Sequence, residues 1–171
     1  KVAVVTGANT GLGQGMSVAL AQAGAKVVGV ARRSCEDTKK LIEGDGGEFA
    51  EVIADLSDMS AIDVIVNGAL AAFGKVDILV NNAGISIIGL FQDMTRDEWD
   101  RIMNVNVGSV YNCCHFAISD MINAKSGRII NISSVWGNAG ASCEAAYSAT
   151  KGAVNSLTKA LAKELAPSGI C

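Results

Sequence analysis

Short runs rich in Val, Ile and Ala alternate with longer segments of helical periodicity along the whole of this 171-residue chain. Val2–Thr6, Lys26–Ala31, Phe49–Ala54, Val76–Asn81 and Arg128–Ser133 read as strands. Gly13–Ala23, Glu36–Gly44, Asp58–Phe73 and Arg96–Ala124 read as the helices between them, with a last helix over Glu144–Ala166. Strands that are each followed by a helix cannot pair through tight hairpins. Right-handed crossovers instead lay them side by side, so the pattern predicts an α/β chain, a doubly wound parallel sheet with helices on both faces. Such a sheet is buried on both sides and needs aliphatic strands. The composition supplies them, with 50% of residues hydrophobic but only 5% aromatic. The length suits a single domain of ~100–200 residues spanning 1–171. Thr95-Arg-Asp-Glu98 has capping-box spacing at the start of the long fourth helix, and Pro167 is placed to end the last one.

Several function classes fall away. Fourteen basic against seventeen acidic residues give a net charge of −3, and no Lys/Arg run exceeds two residues. Nucleic acid, which demands a basic face, is therefore not an expected partner. No apolar stretch approaches the ~20 residues of a membrane span, so no membrane partner is expected either. The chain opens directly on a strand-like segment with no signal peptide in view. Five cysteines without Cys-x-x-Cys spacing read as reduced thiols, and together these features point to a cytoplasmic protein. His115 is the one histidine and reads as a packing or interface residue; no metal site is expected.

Ligands on open parallel sheets bind beyond the carboxyl ends of the strands, so the residues just after each strand carry the function. Thr6-Gly7-Ala-Asn-Thr-Gly11-Leu-Gly13 follows the first strand and opens the first helix. Glycines let a backbone turn tightly and approach a pyrophosphate, and a helix N-terminus offers free N–H groups to its charge. A glycine triplet also suits an ordinary turn; the order strand, loop, helix raises dinucleotide binding above that reading. After the third strand, Asp55 could accept from an adenine amino group or serve as a plain turn residue. Asn81-Asn82-Ala83-Gly84 closes the fourth strand, with small residues that let backbone lie against a ribose; Asn81 itself reads as a tie between strand ends.

Tyr147-Ser-Ala-Thr-Lys151 places a phenol and an ammonium four residues apart, on one face of a helix. Hydride delivery to a ketone leaves an alkoxide that needs a proton. An isolated phenol, with a pKa of about 10, is a poor relay at neutral pH, and an adjacent ammonium makes it a better one. Ser134, thirteen residues before Tyr147 and at the end of the fifth strand, could hold the substrate oxygen. Strand alternation turns its neighbour Ser133 to the opposite face. Trp136 follows that serine and is a candidate substrate contact.

The spacing Thr-Gly-x-x-x-Gly-x-Gly, together with Asp55-Leu56, Asn81-Asn82-Ala83-Gly84, Asn106 and the Ser134–Tyr147–Lys151 set, resembles the classical short-chain dehydrogenases/reductases from Lys1 to Cys171. The resemblance implies a Rossmann-type fold and NADP or NAD as cofactor. It implies a small-molecule ketone or alcohol as substrate, and a homodimer or homotetramer for the full-length protein. It lays the cofactor along Gly7, Asn9, Thr10, Gly11, Leu12 and Gly13, then Ala31 and Arg32, Asp55 and Leu56, and Asn82, Ala83 and Gly84, ending at Tyr147 and Lys151. It makes Asn106, Ser134, Tyr147 and Lys151 the catalytic set, Asn106 binding a water that links the lysine to solvent.

Cofactor choice turns on the end of the second strand. Val30-Ala31-Arg32-Arg33 has no acid to bond ribose hydroxyls and has an arginine that could pair with a 2′-phosphate, which favours NADP over NAD unless the two arginines are simply solvated. The family's second basic determinant, before Gly11, is replaced by Thr10. The chain also stops where family members continue into a sixth strand, a substrate loop and a seventh strand, so the sheet is expected to be C-terminally truncated. Within the family the likeness divides. The segment around Thr10–Met16 resembles 2-deoxygluconate 3-dehydrogenases, whereas Ile130–Gly137 and Ala141–Glu144 resemble 3-oxoacyl-carrier-protein and elongation factor P 5-aminopentanone reductases. A carbonyl reductase is the primary reading and a sugar-acid dehydrogenase the alternative. A non-catalytic dinucleotide-binding regulator would share the fold but have no need of Ser134, Tyr147 and Lys151, and an inactive fragment is a third reading, which follows from the truncation.

Overall fold

The computed structural model describes residues 1–171, all but Met59 with their side chains. Five strands form one parallel sheet: β1 (Val2–Thr6), β2 (Lys26–Ala31), β3 (Phe49–Ile53), β4 (Ile78–Asn81) and β5 (Arg128–Asn131), in the order β3-β2-β1-β4-β5. The helices are α1 (Gly11–Gln22), α2 (Glu36–Gly44), α3 (Ile62–Phe73), α4 (Arg96–Met103), α5 (Ser109–Asn123), α6 (Trp136–Ala139) and α7 (Ala145–Leu165).

Alternation along the strands divides the core. Val4, Val28, Val30 and Val52 face α3, α5 and α7, where they meet Ile65, Val110, Met121 and Val154. Val5, Val27 and Val80 turn the other way, onto α1 and α2. Helices therefore cover both faces, as the sequence pattern requires.

The element limits differ from expectation at informative places. β5 ends at Asn131 rather than Ser133, because β4 ends at Asn81 and the last Cα pair in their register is Asn81 with Asn131. The Asn81 amide donates to Asn131 Oδ1 at 2.8 Å, the strand-end tie anticipated for it. The helix expected from Asp58 begins at Ile62; Asp58 instead caps a 3-10 turn by accepting from the Ser60 N–H. The long helix over 96–124 keeps its capping box at Thr95 and Glu98 but is widened into a π turn at Asn104–Gly108. Helix α7 ends at Leu165, and Pro167 sits in the 3-10 turn that follows.

The outer edge of β5 is not bare. Ile170 bridges to Gly127 in parallel, and the Ile129 N–H donates to the Cys171 carbonyl at 2.9 Å. Ile129, Leu161 and Leu165 line an apolar groove beside this bridge.

Asp77 fastens the start of β1: its carboxylate accepts the Val2 N–H at 2.7 Å and pairs with Lys75 at 3.0 Å. Burial alone would raise this carboxyl, but the Val2 N–H, Lys75 and Lys1 outweigh it and hold it below the ordinary carboxylate range. A carboxyl depressed in the fold contributes stability above its unfolded pKa of about 4 and loses it as pH falls further. Asp77→Asn should therefore cost roughly 1.5–3 kcal/mol at pH 7 in urea unfolding. The gap to the parent should close below about pH 4; a gap independent of pH would show that the charge is not what matters.

Candidate active site

β1 and β4 are neighbours in the sheet, yet the chain leaves them for opposite faces, β1 into α1 and β4 toward α5. A crevice opens at such a switch point. Its floor is tied by Thr6, whose hydroxyl accepts the N–H groups of Asn82 and Ala83, both at 3.0 Å. The Asn82 amide returns a bond to the Thr6 carbonyl at 2.9 Å. Above this floor lies a cleft of about 480 Å³.

The loop between β1 and α1 reaches the cleft only because two of its residues lack a Cβ. Gly7 has φ +70°, and a Cβ there would stand 2.9 Å from the Asn82 amide nitrogen. A Cβ on Gly13 would fall 2.0 Å from the Gly7 carbonyl oxygen, so the first turn of α1 packs directly on the strand end. Gly7, Asn9, Thr10, Leu12 and Gly13 line the cleft, and Gly11, at φ +57°, makes the turn between them. Ala31, Arg32, Asp55, Leu56, Asn82, Ala83 and Gly84 line it as well.

Asp55 and Arg32 meet at one end of the cleft. The Asp55 carboxyl is lowered mainly by the Ser57 N–H at 2.9 Å, with Arg32 and Arg101 adding to the effect. Ser57 engages one oxygen and leaves the other free to accept a bond. Arg33 and Arg101 also line this end, as do Ile85 and Val105 farther along. Arg101, in α4, carries no motif, and only its place near Asp55 in the folded cleft reveals it.

Lys151 and Tyr147 project from α7 at the other end, outside the lining of the main cleft. Lys151 is 4% exposed, and its Nζ donates to the Ile132 carbonyl at 2.7 Å and lies 5.6 Å from the Tyr147 ring centroid. Burial lowers the lysine from its ordinary range. A Cβ on Gly84 would lie 3.6 Å from that Nζ, so the two ends join there. Ser134 lies three residues past β5, and its hydroxyl accepts the Trp136 N–H at 3.2 Å at the start of α6. Ser133 donates instead to the Lys151 carbonyl at 3.2 Å. Strand alternation does not separate the two serines, since β5 has already ended; their different partners do. The α6 turn carries Trp136, 38% exposed.

Asn106 sits in the π turn and is 1% exposed. Its Oδ1 accepts the Ile85 N–H, while its amide donates to the Ile85 carbonyl and to Thr150 Oγ1, at 2.8, 2.8 and 3.1 Å. Both amide hydrogens are thus used within the protein.

A family model described as short chain dehydrogenase matches residues 1–171. The chain belongs to that family. It is 41% identical to the 2-dehydro-3-deoxy-D-gluconate 5-dehydrogenase of Dickeya dadantii, over 99% of this chain and 68% of that protein. It is 36% identical to a 3-oxoacyl-[acyl-carrier-protein] reductase of Staphylococcus aureus, over 99% of this chain and 70% of that one. A metagenomic short-chain oxidoreductase solved in complex with NADP superposes with a TM-score of 0.96 at 39% identity, covering 99% of this chain and 77% of that one. A short-chain dehydrogenase is an oxidoreductase, and the parallel sheet with helices on both faces is its fold. No helix among the described residues is long and apolar enough to cross a membrane, and no acid, His or Cys cluster among them is placed to hold a metal.

Gly13→Ala should force the loop off the strand end, costing about 1–3 kcal/mol in unfolding and weakening binding of a reduced nicotinamide dinucleotide in fluorescence titration. Gly15→Ala, two residues on with nothing within 4 Å of the new Cβ, should instead stabilise the helix by roughly 0.5–1 kcal/mol and leave binding unchanged.

Proposed function

We propose that this chain, within its full-length protein, interconverts a ketone and a secondary alcohol with NADP(H), chiefly as a carbonyl reductase. The observation that carries the reading is the buried Lys151 one helical turn from Tyr147, at the end of a glycine-cradled cleft. The cleft fits a dinucleotide: a loop that tolerates no Cβ at Gly13 leaves backbone N–H groups of α1 open to a pyrophosphate. When bound, the cofactor supplies the hydride.

The protein's own groups do the rest. Ser134 Oγ holds the substrate oxygen, and Tyr147 Oη passes it a proton. Lys151 gives one of its three N–H bonds to Ile132, leaving two for the ribose and the phenol oxygen. Asn106 acts as a positioning residue: it clamps Ile85 and Thr150, the residues beside Gly84 and Lys151. Asn106 Oδ1 accepts one bond, from Ile85, and keeps a lone pair for the water that links Lys151 to solvent.

NADP is the preferred cofactor. Arg32 lines the cleft with no acid at the end of β2, Arg33 adds a second guanidinium, and one structural relative holds NADP. The substrate is a small molecule. A sugar-acid substrate is the second reading, favoured by the name of the 41%-identical relative. A homodimer or homotetramer is supported by the exposed α5 face, where Tyr111 stacks on His115 at 5.6 Å and Ile122 is open.

Tyr147→Phe in the full-length protein should lower turnover by at least ~10²–10⁴-fold and leave NADPH affinity intact. Activity within a few fold of the parent would sink the catalytic assignment. Arg32→Ala should weaken NADPH by roughly 1.5–3 kcal/mol and leave NADH nearly unchanged in parallel titrations; equal losses would assign Arg32 to packing.

A further inference from the structure

We propose that Glu144 sets substrate choice, accepting a hydrogen bond from a hydroxyl or ammonium group on the substrate and acting against a carboxylate at the same place. The proposal rests on the catalytic reading above and deepens it.

Glu144 is the cap residue of α7, and positions 144, 147 and 151 fall on one helix face at i, i+3 and i+7. That face runs from the opening of the site, through Tyr147, to the buried ammonium. The loop after β4 holds the carboxylate there. Ser86 Oγ donates to Glu144 Oε1 at 2.5 Å, and the Gly89 N–H donates to the Cys143 carbonyl at 2.9 Å. Ser86 lies two residues past Gly84, the residue against Lys151, so this tie spans the site between the cofactor loop and α7.

The carboxylate is not neutralised. Among the described residues no Lys, Arg or His lies within ion-pair distance of it, and Ser86 occupies one oxygen only. Ile88, in the loop that Gly89 ties to Cys143, is 79% exposed. A carboxylate with spare lone pairs and no paired cation favours a donor and repels an anion. Side chains on successive turns stand about 5–6 Å apart. The matching substrate carries its donor group across a six-membered ring, or the equivalent length of chain, from the reacting carbon.

Four ketones of one skeleton test this with the full-length protein and NADPH: cyclohexanone and its 4-hydroxy, 4-amino and 4-carboxylate derivatives. The parent should favour the amino ketone over the carboxylate by at least about 10-fold in kcat/KM, with the hydroxy ketone above cyclohexanone. Glu144→Gln should shrink the amino-to-carboxylate ratio about 10-fold, while Glu164→Gln, an exposed acid at the far end of α7, should leave it unchanged. An unchanged ratio in Glu144→Gln would overturn the proposal and leave Glu144 as a fastening for Ser86; so would an equal change in Glu164→Gln, which reports only net charge. If none of the four is turned over, their affinities for the NADPH complex, read by quenching of cofactor fluorescence, must show the same ranking, and equal affinities overturn it. Failure of the catalytic reading is separate: Tyr147→Phe would then retain turnover whatever the ranking.

Discussion

The bond set around Thr6 is the constraint on which the site depends. A parallel sheet splits its helices between two faces only where the strand order reverses, and here that reversal lies between β1 and β4. The Thr6 hydroxyl accepts two consecutive N–H groups from Asn82 and Ala83, and the Asn82 amide reaches back to the Thr6 carbonyl. This fixes the two loops that wall the crevice to each other. Gly7 and Gly13 then bring the first wall against the Asn82 amide, with no side chain between. Everything farther along, including the approach of Gly84 to Lys151, follows from that anchoring.

The opposite end rests on a costly feature. A lysine 4% exposed is held as an ammonium against desolvation, and burial alone lowers it. The unfolded chain keeps its proton to higher pH than the folded one, so this burial costs stability at neutral pH. The cost fades as pH rises toward the ordinary lysine value of about 10.4. Such a cost at a cleft is commoner for function than for folding. The Asn106 clamp shows how the position is kept: the π turn aims a fully buried amide at Ile85 and Thr150, and Thr150 precedes Lys151 on α7.

The architecture was legible because burial on both faces leaves a strong signature, Val-rich runs between amphipathic segments. The limits of β1, β2 and α2 match the pattern, as does the box at Thr95 and Glu98. What could not be read depends on contacts between distant segments. The π turn at 104–108 answers to partners at 85 and 150, and α6 to α7, where Gly137 lies against the Lys151 backbone and Asn155 donates to Asn138. Asn82 offered itself as a cofactor contact through its motif, but its amide is also the tie to Thr6, which local sequence does not reveal. Arg101 lines the cleft through helix placement alone. Ser134 and Ser133 show the limit most clearly: period-2 reasoning needs a strand, and β5 stops at Asn131.

Chemical rescue of Lys151→Ala tests most directly whether a buried ammonium beside Tyr147 drives the reaction. In the full-length protein the substitution should reduce NADPH-dependent ketone reduction by about 10²-fold or more. Added methylamine, small enough for the vacated space, should restore part of the rate in a saturable way, while a neutral molecule of similar size should not. Turnover close to that of the parent, or a loss that methylamine does not relieve although the variant stays folded and binds NADPH, would contradict the account.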